Sequence, residues 1–186
     1  MTNVYPLKNL APEFLTLTIT EDMIPESGIL DINELLEPEE RSCKIKMFAK
    51  NLKNLKEVTC GNKSIKPVQF FFVNCPELIA EDLPNKLLSA SFTLCHKVTG
   101  KNLPTGIWVV FSQCDNVTAK HLKHLGKKAI VKFEDCPKAS SEDCKNFHSA
   151  VFYRCAKNLQ YLKNRQMKII TFVGAALLVI AYFAFS

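Results

Sequence analysis

A solenoid, α/β or mainly β, followed by one C-terminal transmembrane helix is the fold this sequence predicts, and three observations predict it. Cys75, Cys95, Cys114, Cys136 and Cys155 recur at intervals of 20, 19, 22 and 19 residues, the range in which stacked repeats are found. Each has a phenylalanine three positions before it (Phe72, Phe92, Phe111, Phe133, Phe152) and an apolar residue five before it (Phe70, Ala90, Val109, Val131, Ala150). The third observation is the uncharged run 169–186.

Apolar residues five and three positions before each cysteine alternate with period two, the mark of a short strand with one buried face. Leu78, Val98 and Val117 stand three residues after the first three of these cysteines, and Leu83-Pro84, Leu103-Pro104 and Leu122 follow as return segments. A unit of about twenty residues cannot bury its own apolar face, so neighbouring units must share one core. The phenylalanines are then expected to stack into a spine. The cysteines are expected where the chain turns out of each strand, as structural rather than reactive thiols.

The copy Leu83-Pro84-x-x-Leu87-x-x-Ala90-x-Phe92-x-x-Cys95 resembles the leucine-rich repeats, in particular the short LP-type repeat of secreted bacterial effector proteins. The Phe-x-x-Cys-x-x-Leu element followed by Leu-Pro is also similar to the BspA-like subclass. The resemblance covers residues 66–160 and extends more weakly to 10–65, where Phe14-x-x-Leu17-x-Ile19, Ile45-x-Met47 and Leu52-x-x-Leu55-x-x-Val58-x-Cys60 read as earlier units. Phe in place of the usual aliphatic residue, and the loss of Leu-Pro in the last two copies, depart from the family pattern. The resemblance implies protein recognition. Several such effectors carry a ubiquitin-ligase domain behind the repeats, but about a dozen residues separate the last copy from the apolar run, too few for a domain.

Four segments follow: 1–41, an acidic cap or divergent first repeat; 42–162, the solenoid; 163–168, a basic juxtamembrane stretch; and 169–186, the anchor. Residues 1–40 hold nine acids against the single Lys8, and 41–186 hold 23 bases against nine acids. A helix is expected over Asp31 to Glu40, and Phe147 to Leu162 is expected to close the far end of the stack.

The 18 residues of the apolar run span roughly 27 Å as a helix, close to the ~30 Å hydrocarbon core. Lys163, Arg165 and Lys168 precede it and no charge follows. The positive-inside rule then keeps the bulk of the chain on the cytosolic side. With no N-terminal signal segment, the plan is that of a tail-anchored protein inserted after synthesis. On the family resemblance, the setting is an effector on a host organelle membrane. Eight cysteines facing a reducing cytosol are expected to be free thiols. The absence of any C-x-x-C argues against structural zinc, and no metal or other cofactor is expected.

No nucleophile elbow, P-loop, zinc-protease or dinucleotide motif occurs, so no catalytic residue is assigned and no small-molecule substrate is predicted. Two alternatives remain open. One is a cysteine-dependent enzyme using Cys144, which lies outside the ladder. The other is an F-box-like ubiquitin-ligase adaptor, suggested by Leu10-Ala-Pro-Glu13. Nucleic acid is not expected, because the lysines are spread over the repeats without aromatic interleaving. His121 and His124 sit with Lys120, Lys123, Lys127 and Lys128 in what reads as a solvated basic face that would meet an anionic leaflet. Residues alternating with the buried ones point outward. Among them Phe71, Trp108, Val110, Lys132, Val151 and Tyr153 form the expected partner-binding surface.

Overall fold

The computed structural model describes residues 14–60, 66–140 and 149–155. Its strands are β1 (Phe14–Ile19), β2 (Ile29–Asp31), β3 (Lys44–Lys50), β4 (Glu57–Thr59), β5 (Lys66–Val73), β6 (Ser89–Thr93), β7 (Trp108–Ser112), β8 (Ile130–Glu134) and β9 (Ser149–Tyr153). Seven of them make one parallel sheet in the order β1-β3-β5-β6-β7-β8-β9, while β2 and β4 pair in a smaller parallel ladder. Each strand of the large sheet is laid beside the one before it. The protein is a mainly-β parallel solenoid.

A parallel pair needs a crossover of a dozen residues or more, and the register gives its length. Leu17 faces Met47, Met47 faces Phe70, Phe70 faces Ala90, Ala90 faces Val109, Val109 faces Val131 and Val131 faces Ala150. Successive turns therefore take 30, 23, 20, 19, 22 and 19 residues. The longest accommodates β2 and three 3-10 turns; β4 lies in the next, and its pairing with β2 makes a second ladder across the return side. The 22-residue turn contains the 3-10 segment Ala119–Leu125, whose N-cap Thr118 accepts a hydrogen bond from the His121 amide.

Of the two fold alternatives, α/β is not the one adopted: no α-helix occurs among the described residues. Returns this short, interrupted by Pro76, Pro84, Pro104 and Pro137, leave no room for a helix, because proline lacks the amide a helix interior requires. The helix expected over Asp31 to Glu40 also does not form. Ile32–Glu34 and Glu40–Ser42 are separate 3-10 turns. Pro38 lies between them, and buried Asn33 ties the first inward, its amide donating to Asp31 and to the Cys60 carbonyl. Residues 14–42, where an adaptor of the F-box kind would be helical, thus hold strands and short turns. No helix among the described residues is long and apolar enough to cross a membrane. The run 169–186, its flanking Lys163, Arg165 and Lys168, Cys144 and most of the segment from Phe147 to Leu162 lie outside the described residues.

One face of every strand supplies the core. Ile45, Met47 and Ala49 of β3, Phe70 and Phe72 of β5, and the matching pairs Ala90/Phe92, Val109/Phe111 and Val131/Phe133 are buried. Parallel in-register pairing places identical rings one strand apart, and they stack. Phe72 and Phe92 lie 5.2 Å apart at 7°, Phe92 and Phe111 5.4 Å at 12°, Phe111 and Phe133 5.8 Å at 19°, Phe133 and Phe152 4.8 Å at 14°. Each such contact contributes about 0.5–1.5 kcal/mol beyond simple burial. Leu78, Leu83, Val98, Leu103, Val117, Leu122 and Leu125 fill the core from the return side. Gly100 makes room there, at φ +79, where a Cβ would fall 2.4 Å from Leu122 Cδ2.

The chain leaves its strands through a single left-handed residue: Asn51, Asn74, Leu94, Gln113, Asp135 and Arg154 have φ between 51 and 59. Asn51, Asn74, Leu94, Gln113 and Asp135 each donate an amide hydrogen bond of 2.8–3.0 Å to the last residue of the next strand, which prolongs the ladder into the bend. Asparagine and aspartate tolerate this conformation, whereas leucine is strained in it. Leu94→Asn should therefore raise the unfolding free energy by about 0.5–1 kcal/mol in chemical denaturation. Phe111→Ala, in the middle of the ring stack, should lower it by about 3–5 kcal/mol. Phe152→Ala, at a half-buried end ring, should cost clearly less.

Candidate functional site

The expected repeat ladder is assembled as five buried thiols, each following one of the left-handed bend residues. Every Sγ is aimed at backbone carbonyls at the strand ends. Cys75 donates toward Ala49 and Val73, Cys95 toward Phe72 and Thr93, Cys114 toward Phe92 and Ser112, and Cys136 toward Phe111 and Glu134, at 3.3–3.8 Å. Cys155 does the same toward Tyr153 at 3.5 Å. A small side chain with a weak donor is what this position needs, because it must fit under the bend and satisfy a carbonyl that the widening ladder leaves short of partners. Leu52 takes the equivalent place after Asn51 and is buried without such a bond. The described cysteines are free thiols.

Removing these thiols from water disfavours the thiolate. Burial pushes Cys114 up to about 12 and Cys60 up to about 12, and pushes Cys136 and Cys155 up as well. Contact between the Cys75 and Cys95 thiols pushes Cys95 up, with burial adding to it, and lowers Cys75. The described histidines stand elsewhere, on the return side. His96 Nδ1 lies 2.8 Å from Asp115 Oδ2, and His124 sits with Nδ1 3.0 Å from the His121 carbonyl and Nε2 2.9 Å from the Leu103 carbonyl. No hydrogen bond joins a cysteine to a histidine among the described residues. Nor do three or more His, Cys, Asp or Glu side chains gather there in a group that could hold a metal ion.

The outer face of the sheet differs in kind from its inner face. Successive outward residues align across the strands in three rows, and the middle row runs Thr18, Phe48, Phe71, Ser91, Val110, Lys132, Val151. Phe48 and Phe71 stack flat on that surface at 4.7 Å and 6°. Trp108 on the adjacent row is 56% exposed. Between these aromatics, β6 presents only Ser89 and Ser91. The result is a groove of about 280 Å³, walled by Gln69 and Phe71 on one side and by Trp108 and Val110 on the other, with Ser89, Ala90 and Ser91 as its floor.

The structure thus divides the six expected partner-binding residues. Phe71, Trp108 and Val110 come together in the groove. Lys132, Val151 and Tyr153 lie farther along, toward β9, where Val151 and Tyr153 are each 51% exposed. Lys132 donates to Glu134 at 3.2 Å, and Arg154 bonds Asp135 at 2.7 Å while covering the Tyr153 ring at 4.7 Å. That end mixes exposed apolar side chains with charges that are already paired. The sequence reading missed Phe48 as a surface residue; the alternation does place Ser89 and Ser91 on the outer face, but not the groove that their small size opens between larger neighbours. Lys44-x-Lys46-x-Phe48-x-Lys50 alternates with Ile45, Met47 and Ala49, a pattern that marks Phe48 as outward.

Two outcomes are expected of the thiols. A thiol-specific chromophoric reagent near pH 8 should label the ladder cysteines only after denaturant is added. A group raised in the folded state favours folding below its unfolded value, and that contribution is lost as the pH climbs toward the folded value. Denaturant midpoints should therefore hold steady below about pH 9 and decline from there toward about pH 12. Comparison of the chain with protein-family models, curated proteins and solved structures returned no match.

Proposed function

We propose that this chain is a non-enzymatic protein-binding module, a leucine-rich-repeat-like solenoid held at a membrane by residues 169–186, which receives its partner on the outer face of the parallel sheet. The observation that carries this reading is the surface formed by half-buried Phe71 and Val110 and exposed Trp108 around one groove, with exposed Phe48 stacked on Phe71 beside it. A solvated sheet face is ordinarily polar, and a contiguous apolar patch rimmed by polar residues is characteristic of an interaction surface. Trp and other aromatics that sit in desolvatable pockets carry most of the energy of protein interfaces.

The thiols support the same reading from the other side. Each described ladder cysteine is spent on a bend carbonyl, and Cys95, Cys114, Cys136 and Cys155 are pushed up from the ordinary thiol value, which suits a framework rather than a nucleophile. Membrane attachment is supported by the length of the uncharged run and the lysines and arginine before it. The family resemblance adds the setting of an effector on a host organelle membrane.

Proximity labelling in cells, with the full chain carrying a labelling enzyme at its N-terminus, tests both halves. The double variant Trp108→Ser, Val110→Ser should lose most of the neighbours labelled by the parent, by about tenfold in signal, while keeping its β-type circular dichroism. An unchanged set of neighbours would sink the binding-face reading. A chain ending at Gln166 should move to the soluble fraction, and retention on membranes would remove the anchor from the proposal.

A further inference from the structure

The groove has a shape and a charge that narrow what it takes. Its walls belong to β5 and β7, two strand spacings apart, or about 10 Å between backbone axes. Once the side chains on both walls are allowed for, what remains is the thickness of one ring or one branched aliphatic group. A volume of about 280 Å³ also falls below the usual range for sites that enclose a whole drug-sized molecule, roughly 300–1,000 Å³. It is a slot for one side chain. Ser89 and Ser91 on the floor, with Gln69 on the wall, offer hydrogen-bonding groups beside it.

The surroundings are basic on one side. Lys44 pairs in register with Lys66, and Lys46 and Lys50 share the outer face of β3 with them. Lys44 and Lys46 reach over the Phe14 ring at 5.1 Å and 4.6 Å. No carboxylate stands in the outward positions of β1, β3, β5 or β6 among the described residues. The first acid on this face, Glu134, is three strands beyond β5 and already bonded to Lys132.

Resting on the binding-face reading above, we infer that the partner is an acidic protein segment that inserts one aromatic or leucine side chain between Phe71 and Trp108 and lays its neighbouring carboxylates along Lys46 and Lys50. Trp108 is the chain's single tryptophan, so its emission reports directly on the slot. The probes are three acetylated peptide amides, Asp-Asp-Phe-Asp-Asp, Lys-Lys-Phe-Lys-Lys and Asp-Asp-Ala-Asp-Asp, titrated against the full chain in neutral detergent micelles.

The first peptide should shift Trp108 emission saturably and bind about tenfold or more tightly than either of the others at low ionic strength. That preference should shrink as salt is raised from about 0.05 M to about 0.5 M, and should be lost in the Lys46→Gln, Lys50→Gln variant. Equal binding of the acidic and basic peptides would overturn the acidic partner. So would equal binding of the Phe and Ala peptides, which would mark a site for polyanions in general. Concentration-dependent dimerisation that Trp108→Ser abolishes would assign the slot to a second copy of the chain, and would overturn the inference too. Should these tests fail while Trp108→Ser, Val110→Ser still strips neighbours in cells, only the inference falls. If the cellular neighbours are unchanged as well, the binding face falls with it.

Discussion

A stack of parallel strands holds only if every circuit of the chain returns to the same height, and in this protein the phenylalanine column enforces that return. Ring faces ring from Phe72 to Phe152 at separations of 4.8–5.8 Å. A slip of one residue in β6, β7 or β8 would turn its phenylalanine out into water and could bring Thr93, Ser112 or Lys132 inside. The penalty for misregister is therefore charged at every turn, and the return segments are free to vary. They do vary, from 19 to 30 residues, and the sheet stays continuous, with one register shift between β3 and β5 at Ile45/Lys46.

The bends solve a second problem that the column creates. Strands that end abruptly expose carbonyls beneath the surface, and each unpaired one is costly. One left-handed residue swings the chain away while keeping its amide in the ladder, and the thiol that follows meets the carbonyls beneath. The cysteines repeat because the geometry at the end of each strand repeats. Their burial, not any reactivity, is what the period records. Where the bend residues themselves meet, they pair on the surface: Asn74 with Asn51 and Arg154 with Asp135.

With register and bends secured from inside and from the edges, the outward positions are released from structural duty. On β6 Ser89 and Ser91 are small, while beside them β5 and β7 carry Phe71, Trp108 and Val110, and a groove results from that contrast in size. A rigid sheet suits such a surface, since side chains on strands need little reorganisation on binding. The charges sort in the same way. The β8–β9 end neutralises its own through Lys132, Glu134, Arg154 and Asp135, while the outer face of β3 carries Lys44, Lys46 and Lys50 around Phe48.

The interval between cysteines, the phenylalanine before each and the alternation around them were enough to place β5 to β9, their buried face and the position of the thiols. Local patterning and repeat length decide those features, because a parallel in-register stack copies each residue onto its neighbour. The earlier strands β1 and β3 were visible as Leu17-x-Ile19 and Ile45-x-Met47, although their longer circuits blurred the period. The β2–β4 ladder and the failure of the helix at Asp31 to Glu40 were not legible, since both depend on contacts between turns: Ile29 to Asp31 with Glu57 to Thr59, and Asn33 with the Cys60 carbonyl. Nor could any single segment show that Phe48 lies flat on Phe71, or that Phe71 and Trp108 face each other across two serines. The inner face follows from hydrophobic periodicity, which each strand carries by itself. The outer face is a product of which strands become neighbours, and only the stacked chain decides that.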